Sequence, residues 1–308
     1  MQKWGKTSRG KQRWLCMSCQ RSIIRKRTDT KEFFLRKEFI KWLTGNATLK
    51  EIALRRKISK RTIIRYFKPL WSHAHKPLMT VSSDRYVLIC DGVYIYKREC
   101  CVLIARTKLS VISWKFTQYE STQSWKIFFQ KLKKPYAVVC DGQKGMLLAI
   151  RTLWSTTRIQ RCLAHLIRSE QTYLTKKPKT KAGKELVLLL KRLSLIWTRR
   201  QKRRWIRSYW NVFNRYASLL KERSYLKRPN GTTTWWYTHR HLRSAYYLIK
   251  HSLAEMFVYV GHYDIPRTTN HVEGGINSRL KELLHRHRGL RIQKKKVLIS
   301  QFLITKCH

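Results

Sequence analysis

The sequence predicts an α/β fold interrupted by an all-helical insertion, and three observations carry that expectation. Three short β-rich runs, RYVLICDG, CCVLIART and VISWKFTQ, follow one another closely from Arg85, the pattern of an antiparallel meander. An amphipathic stretch, a strand, a second amphipathic stretch and a short strand come next, in STQSWKIFFQKLKK, AVVCDG, QKGMLLAIRTLW and TRIQRC. Residues 163–252 then repeat apolar side chains at spacings of three and four, which is the helical period.

Each element has a local reason. Residues 1–28 contain one C-x-x-C, at Cys16 and Cys19. A zinc ribbon closes its tetrahedral site with two such knuckles, so this segment reads either as half of a metal site or as a partial ribbon without one. Residues 29–78 read as a helix-turn-helix and linker. The stretch FFLRKEFIKWLTGN has a helical apolar face and stops at Gly45-Asn46. Thr48 with Glu51 has the spacing of a capping box, and Ser59 caps the following helix. Ile52, Ala53, Ile58, Ile63 and Ile64 would pack the two helices together, leaving Lys60, Arg61 and Arg65 to face a DNA groove. A turn glycine is common where Lys57 stands, and a plain helical hairpin is the alternative. Residues 71–82 read as linker.

The third region, 79–308, begins with the meander. Three antiparallel strands followed by αβαβ is the order of the ribonuclease-H-like fold. In that order the first and fourth strands are parallel neighbours, and the helical insertion occupies about 170–255. The Pro-Asn-Gly at 229–231 reads as a break between helices, and TTNHVEGGINSRLKELLHRHRG as a closing helix ending at Gly289.

Charge restricts the function class. There are 68 Lys+Arg against 16 Asp+Glu, a net charge of +52, spread along the whole chain and interleaved with aromatics. A body that self-repels so strongly calls for a polyanionic partner, and nucleic acid fits, with binding that weakens steeply in salt. No apolar run reaches the length of a membrane span, and the basic N-terminus lacks the apolar core of a signal peptide. The eight cysteines do not resemble a disulfide framework, so a reducing cytoplasm, with association to the nucleoid, is the expected compartment.

Asp91 and Asp141 stand out among the few acids. Each ends an apolar strand-like run in the same Cys-Asp-Gly, and each precedes a glycine able to turn the chain. On neighbouring parallel strands the two carboxylates would repel each other unless a divalent cation lay between them. Mg²⁺ or Mn²⁺ takes such oxygen ligands and leaves positions open for phosphate. Glu273 is the candidate third acid. It is followed by Gly274-Gly275, at a cost in a helix of roughly 1 kcal/mol each, which points to a close approach by another backbone. Asn270 and Asn277 flank it at three and four residues and would share its face.

At this point the sequence resembles a family. The blocks CDG at 90–92, CDGQKG at 140–145, RCLAHLIR at 161–168, WWYTHRHLRSAY at 235–246 and TTNHVEGGINSRLKELLHRHRGL at 268–290 resemble the Mutator-like DDE transposases of bacterial insertion sequences, in the variant with an N-terminal zinc-binding segment. The resemblance implies that Asp91, Asp141 and Glu273 form the metal-binding triad, that the helical block between them is an insertion domain, and that Cys162 and His165 form a Cys-x-x-His motif supporting the second aspartate. It also implies an earlier C-x-x-C. This sequence begins inside that block, so either its start lies downstream of the true one or the zinc site at Cys16 and Cys19 is lost.

The activity implied is metal-dependent cleavage at the ends of a mobile element, followed by strand transfer into target DNA. The partners would be double-stranded DNA, both terminal inverted repeats and target, and further copies of the chain in a homodimer or larger assembly. Lys60, Arg61 and Arg65 would read the repeats. Arg279, Trp235 and Trp236 would grip DNA in the catalytic region, although the two tryptophans equally suit the core of a helical bundle. Two other classes remain: a transposase-derived DNA-binding regulator without catalysis, and a ribonuclease-H-like nuclease that cuts without joining.

Overall fold

A computed structural model of the chain describes residues 1–8, 10–24, 28–45, 47–71, 85–95, 100–175 and 177–307; the side chains of 28–33, His271 and Glu273 lie outside the described set. The chain forms two units. One is Met1–His75 with His287–Phe302, and the other is Lys76–Arg286 with Leu303–His308.

The first unit opens with three antiparallel strands, β1 (Gln2–Lys6), β2 (Gln12–Leu15) and β3 (Ser22–Ile24), in the order β1-β2-β3. Helices α1 (Thr28–Thr44), α2 (Leu49–Arg55) and α3 (Lys60–Phe67) follow. Thr48 and Glu51 make the expected capping box on α2, and Ser59 caps α3. Ile52, Ala53 and Ile63 are buried between them. Lys57 occupies the turn with φ of 51°, a left-handed conformation. Ile58 N–H donates to Ala53 O and Lys57 N–H to Leu54 O, closing the end of α2. Phe39 packs on Phe67 and Trp71, with ring centroids 5.2 and 5.1 Å apart.

The second unit is built on a five-stranded mixed sheet in the order β6-β5-β4-β7-β8. The strands are β4 (Val87–Ile95), β5 (Cys100–Arg106), β6 (Val111–Thr117), β7 (Ala137–Cys140) and β8 (Arg158–Arg161). β4, β5 and β6 form the antiparallel meander, and β4–β7 and β7–β8 are parallel, as the strand order predicts. Side chains alternate across a strand. Leu88, Cys90, Val138 and Cys140 therefore face α4 (Thr122–Phe129) and α5 (Lys144–Leu153), joining Trp125, Phe128 and Phe129 in one core. Ile89, Ala137 and Val139 face the other way, into a core shared with α6 (Leu163–Leu174) and the insertion.

The insertion comprises α7 (Lys181–Lys191), α8 (Arg199–Arg215), α9 (Ala217–Lys221), a hairpin of β9 (Arg223–Lys227) and β10 (Thr233–Tyr237), and α10 (Arg240–Met256). Buried Trp205, Tyr209 and Tyr246 spend their polar atoms on main-chain oxygens of Leu189, Tyr246 and Ala182, so large rings fill the core without orphaned donors. The hairpin corrects the all-helical expectation. Thr233-Thr234-Trp235-Trp236-Tyr237 is a β-branched and aromatic run that prefers a pleated strand. Pro229-Asn230-Gly231 is its turn, with Gly231 at φ 79°.

The closing helix is also different. It is broken into α11 (Asn270–Val272), a π-turn over Glu273–Asn277 and α12 (Ser278–Arg286), and a further helix, α13 (Ile292–Ile304), follows. No helix among the described residues is long and apolar enough to cross a membrane. The linker read at 71–82 lies, beyond Trp71, outside the described residues.

Lys57 holds a backbone conformation that costs a non-glycine residue about 1 kcal/mol. Lys57→Gly is expected to stabilise the first unit by about that amount, read by denaturant unfolding; a loss of stability would contradict this account of the turn.

Candidate active site

The parallel register of β4 and β7 pairs Val87 with Ala137, Leu88 with Val138 and Ile89 with Val139. Two residues beyond Ile89 and Val139 come Asp91, within β4, and Asp141, just past the end of β7. By the two-residue alternation they emerge on the face of Ile89 and Val139, side by side. The adjoining Cys90 and Cys140 point to the opposite core, where burial pushes both thiols up; they act there as small apolar residues.

Asp91 is only 6% exposed. Its Oδ1 accepts the Gly92 N–H at 3.0 Å and its Oδ2 accepts Asn277 Nδ2 at 2.6 Å. Asp141 Oδ1 accepts the N–H of Gln143 at 2.8 Å. Both aspartates line an open, polar cavity of 510 Å³ with Tyr94, His165, Arg168, Asn277, Ser278 and Lys281.

The two Cys-Asp-Gly motifs differ in geometry. Gly142 turns the chain, at φ 87°. Gly92 does not: the ladder to β5 continues from Asp91↔Ile104 to Ile95↔Cys100, so Asp91 lies within a strand and not at its end. The space over Gly92 is taken by the Glu120 carboxylate, which would have to shift to admit a side chain. A Cβ there would sit 2.6 Å from the Glu120 carboxylate.

Glu120 is an acid that sequence reasoning missed. It precedes Ser121, the cap of α4. Tyr94 Oη accepts its N–H at 3.2 Å, and Gln143 Nε2 donates to its carbonyl at 3.0 Å. Burial, then Asp141 and Asp91, push its carboxyl up to about 7. Nothing in the local sequence YESTQ marks it; only the fold brings it under Gly92.

Glu273 begins the π-turn, and its side chain lies outside the described residues. Its segment is nonetheless anchored on the aspartate face. Val272 is fully buried in the same core as Ile89 and Val139, and Asn277, at the other end of the turn, reaches Asp91. Asn270 is exposed and does not line the cavity. A Cβ on Gly274 would meet nothing within 4 Å, so no contact within the described chain requires a glycine there.

Cys162 and His165 meet through Thr269. Cys162 Sγ accepts the N–H and Oγ1–H of Thr269, both at 3.2 Å, and Thr269 Oγ1 lies 3.3 Å from His165 Nδ1. Burial raises the Cys162 thiol, but hydrogen bonds from His165 and Thr269 outweigh it and hold the group below its ordinary range. His165 lines the cavity while Cys162 lies behind it.

The other sequence candidates are on surfaces. Lys60, Arg61 and Arg65 are exposed on α3. Arg279 is exposed and pairs with Glu282 at 3.1 Å; Ser278 and Lys281 of the same helix line the cavity instead. Trp235 and Trp236 are 47% and 44% exposed on β10, which removes the bundle-core reading. Arg223 lies over the Trp235 ring at 4.1 Å. Cys16 and Cys19 share one tight turn, where the backbone N–H groups of Cys19 and Ser18 lower the Cys16 thiol to about 7.

An oxygen-rich set of two carboxylates beside an amide suits a hard divalent cation. Among the described residues no three His, Cys, Asp or Glu side chains converge to hold an ion. Glu273, whose side chain is outside that set, remains the candidate for a third ligand.

Residues 94–227 match the family described as "Transposase, Mutator family". The chain is similar to the Mutator-family transposases. The matched segment includes Asp141, Cys162 and His165 and stops short of Asp91 and Glu273. Among curated proteins, the chain is 25% identical over 192 residues to the transposase for insertion sequence element IS256 in transposon Tn4001, both from Staphylococcus aureus and from Enterococcus faecalis strain ATCC 700802 / V583. The alignment covers 54% of this chain and 49% of each relative, so the chain spans about half the length of these relatives.

In metal-free buffer the unfolded chain ionises Glu120 near pH 4.5, whereas the folded chain keeps the proton to about 7. Glu120 therefore destabilises the fold increasingly across that window and fully above it. Glu120→Gln is expected to raise Tm at high pH by roughly 3–5 °C, with the gain fading to nothing as pH falls through about 4. An equal gain at both ends of the range would refute the assignment.

Proposed function

We propose that this protein is a DDE transposase: a metal-dependent enzyme that cuts DNA at the ends of an insertion sequence and joins the freed 3′ ends to target DNA. The observation that carries the reading is the register-adjacent pair Asp91 and Asp141 on one face of a mixed sheet, opening into a polar cavity in a chain of net charge +52. The sheet order and the anchoring of the Glu273 segment on the same face support a ribonuclease-H-like catalytic region.

Asp91, Asp141 and Glu273 would hold Mg²⁺ or Mn²⁺. Ions held by these carboxylates would supply Lewis-acid activation of the attacking oxygen and charge stabilisation of the leaving oxygen. The chain's own residues do the rest. Arg168 and Lys281 at the cavity wall hold the phosphate backbone. Asn277 fixes the orientation of Asp91 through its 2.6 Å hydrogen bond. Water attacks the phosphodiester at the element end, releasing a 3′-hydroxyl, and that hydroxyl then displaces a 3′ oxygen in target DNA. The open surface at Gly274 leaves room for a DNA strand against the π-turn.

The exposed α3, bearing Lys60, Arg61 and Arg65, reads the terminal repeats. The β9–β10 hairpin, with Trp235, Trp236 and Arg223 and no acid between 223 and 237, offers aromatic faces and positive charge to an unpaired base. Two element ends must be held together, so a dimer or larger assembly acts on DNA.

The test is Mg²⁺-dependent joining of labelled DNA, taken from the ends of the element that encodes the chain, into a plasmid. Asp91→Ala, Asp141→Ala and Glu273→Ala are each expected to lower joining by at least about 10³-fold while leaving end binding within a few-fold of wild type. End binding without cleavage by the wild type would favour a DNA-binding regulator, and cleavage without joining a nuclease.

A further inference from the structure

Behind Asp141 lies a partly buried cation that the proposed chemistry does not use. Arg161 is the last residue of β8, and its side chain is 13% exposed. Its Nη2 donates to Gly142 O at 2.9 Å and its Nη1 to Ser252 Oγ at 2.7 Å; its Nε lies 3.4 Å from Glu255 Oε2. Glu255 also pairs with Arg151 of α5. Ser252 and Glu255 belong to α10, the last helix of the insertion.

The carbonyl that Arg161 holds belongs to the peptide joining Gly142 to Gln143. The N–H of that same peptide donates to Asp141 Oδ1 at 2.8 Å. A peptide unit is planar and its C=O and N–H point in opposite directions. Fixing the carbonyl on one side therefore fixes the direction of the N–H on the other. The guanidinium packs directly beneath the turn: a Cβ on Gly142 would fall 2.3 Å from Arg161 Nε. Gly142 is held to glycine by its φ of 87°, and a side chain there would also displace the Arg161 guanidinium.

We propose that Arg161 is a positioning residue for Asp141, acting through the Gly142–Gln143 peptide, and that Ser252 and Glu255 hold it there, so that the insertion helix α10 sets the aim of a metal-binding carboxylate. The inference rests on the reading of Asp141 as a metal ligand.

Positioning and simple charge predict opposite signs. Removing a nearby cation by itself tightens the binding of a divalent ion, whereas losing the carboxylate's orientation weakens it. The experiment is Mn²⁺ binding to the whole 308-residue chain without DNA, followed by electron paramagnetic resonance of the free ion, with far-UV circular dichroism to confirm folding. The signal of interest is the Asp141-dependent site, defined by its loss in Asp141→Ala.

Arg161→Met is expected to bind Mn²⁺ at that site about tenfold more weakly at unchanged stoichiometry. Arg161→Lys keeps the charge and one donor, and is expected to weaken binding severalfold even if the methionine variant fails to fold. Unchanged or tighter binding in the folded variants would overturn the proposal while leaving Asp141 as a ligand. If Asp141→Ala binds Mn²⁺ like wild type, the ligand reading itself fails, and the positioning role with it.

Discussion

The site depends on one constraint: β4 and β7 run parallel, and their register brings Asp91 and Asp141 to adjacent positions on one face. Two carboxylates so placed repel each other, and burial of Asp91 adds to the cost. The surroundings absorb part of it. Asn277 and backbone N–H groups point at the carboxylates, and Glu120, the next acid inward, carries a proton up to about pH 7 instead of adding a third negative charge. Such an arrangement is held in place by the packing beneath it, and a cation bound between the carboxylates would offset their repulsion.

That packing comes from the alternation of the strands. The same short runs, VLICDG and AVVCDG, supply both cores: Leu88, Cys90, Val138 and Cys140 bury against α4 and α5, while Ile89 and Val139 bury against α6 and the insertion. Shifting either strand by one residue would carry an aspartate into the apolar core behind the sheet. The register is therefore secured by hydrophobic burial on two faces, and the placement of the aspartates follows from it.

The sheet and the aspartate pair were legible because short-range patterns encode them: β-rich runs with helical stretches between, and one motif repeated. The caps at Thr48 and Ser59 were legible for the same reason. What escaped depends on contacts distant in sequence. Gly92 looks like Gly142, yet one answers to a carboxylate arriving from residue 120 and the other to a turn. The role of Arg161 becomes visible only when α10 closes over β8. The hairpin at 223–237 was obscured by the helical period on both sides of it, although its threonines and aromatics favour a strand. Glycines 274 and 275 stand out in a helical pattern, but the π-turn that accommodates them leaves no trace in a 3.6-residue period.

The first unit draws on both ends of the chain. His287 packs edge-on against Trp42, with centroids 5.3 Å apart, its Nε2 lies 3.3 Å from Leu43 O, and Lys294 sits over Trp71. Synthesis in chain order therefore supplies residues 1–75 of this unit long before the segment from His287 that completes it. Until that segment is in place, the helices of residues 28–67 lack part of the packing that completes their unit.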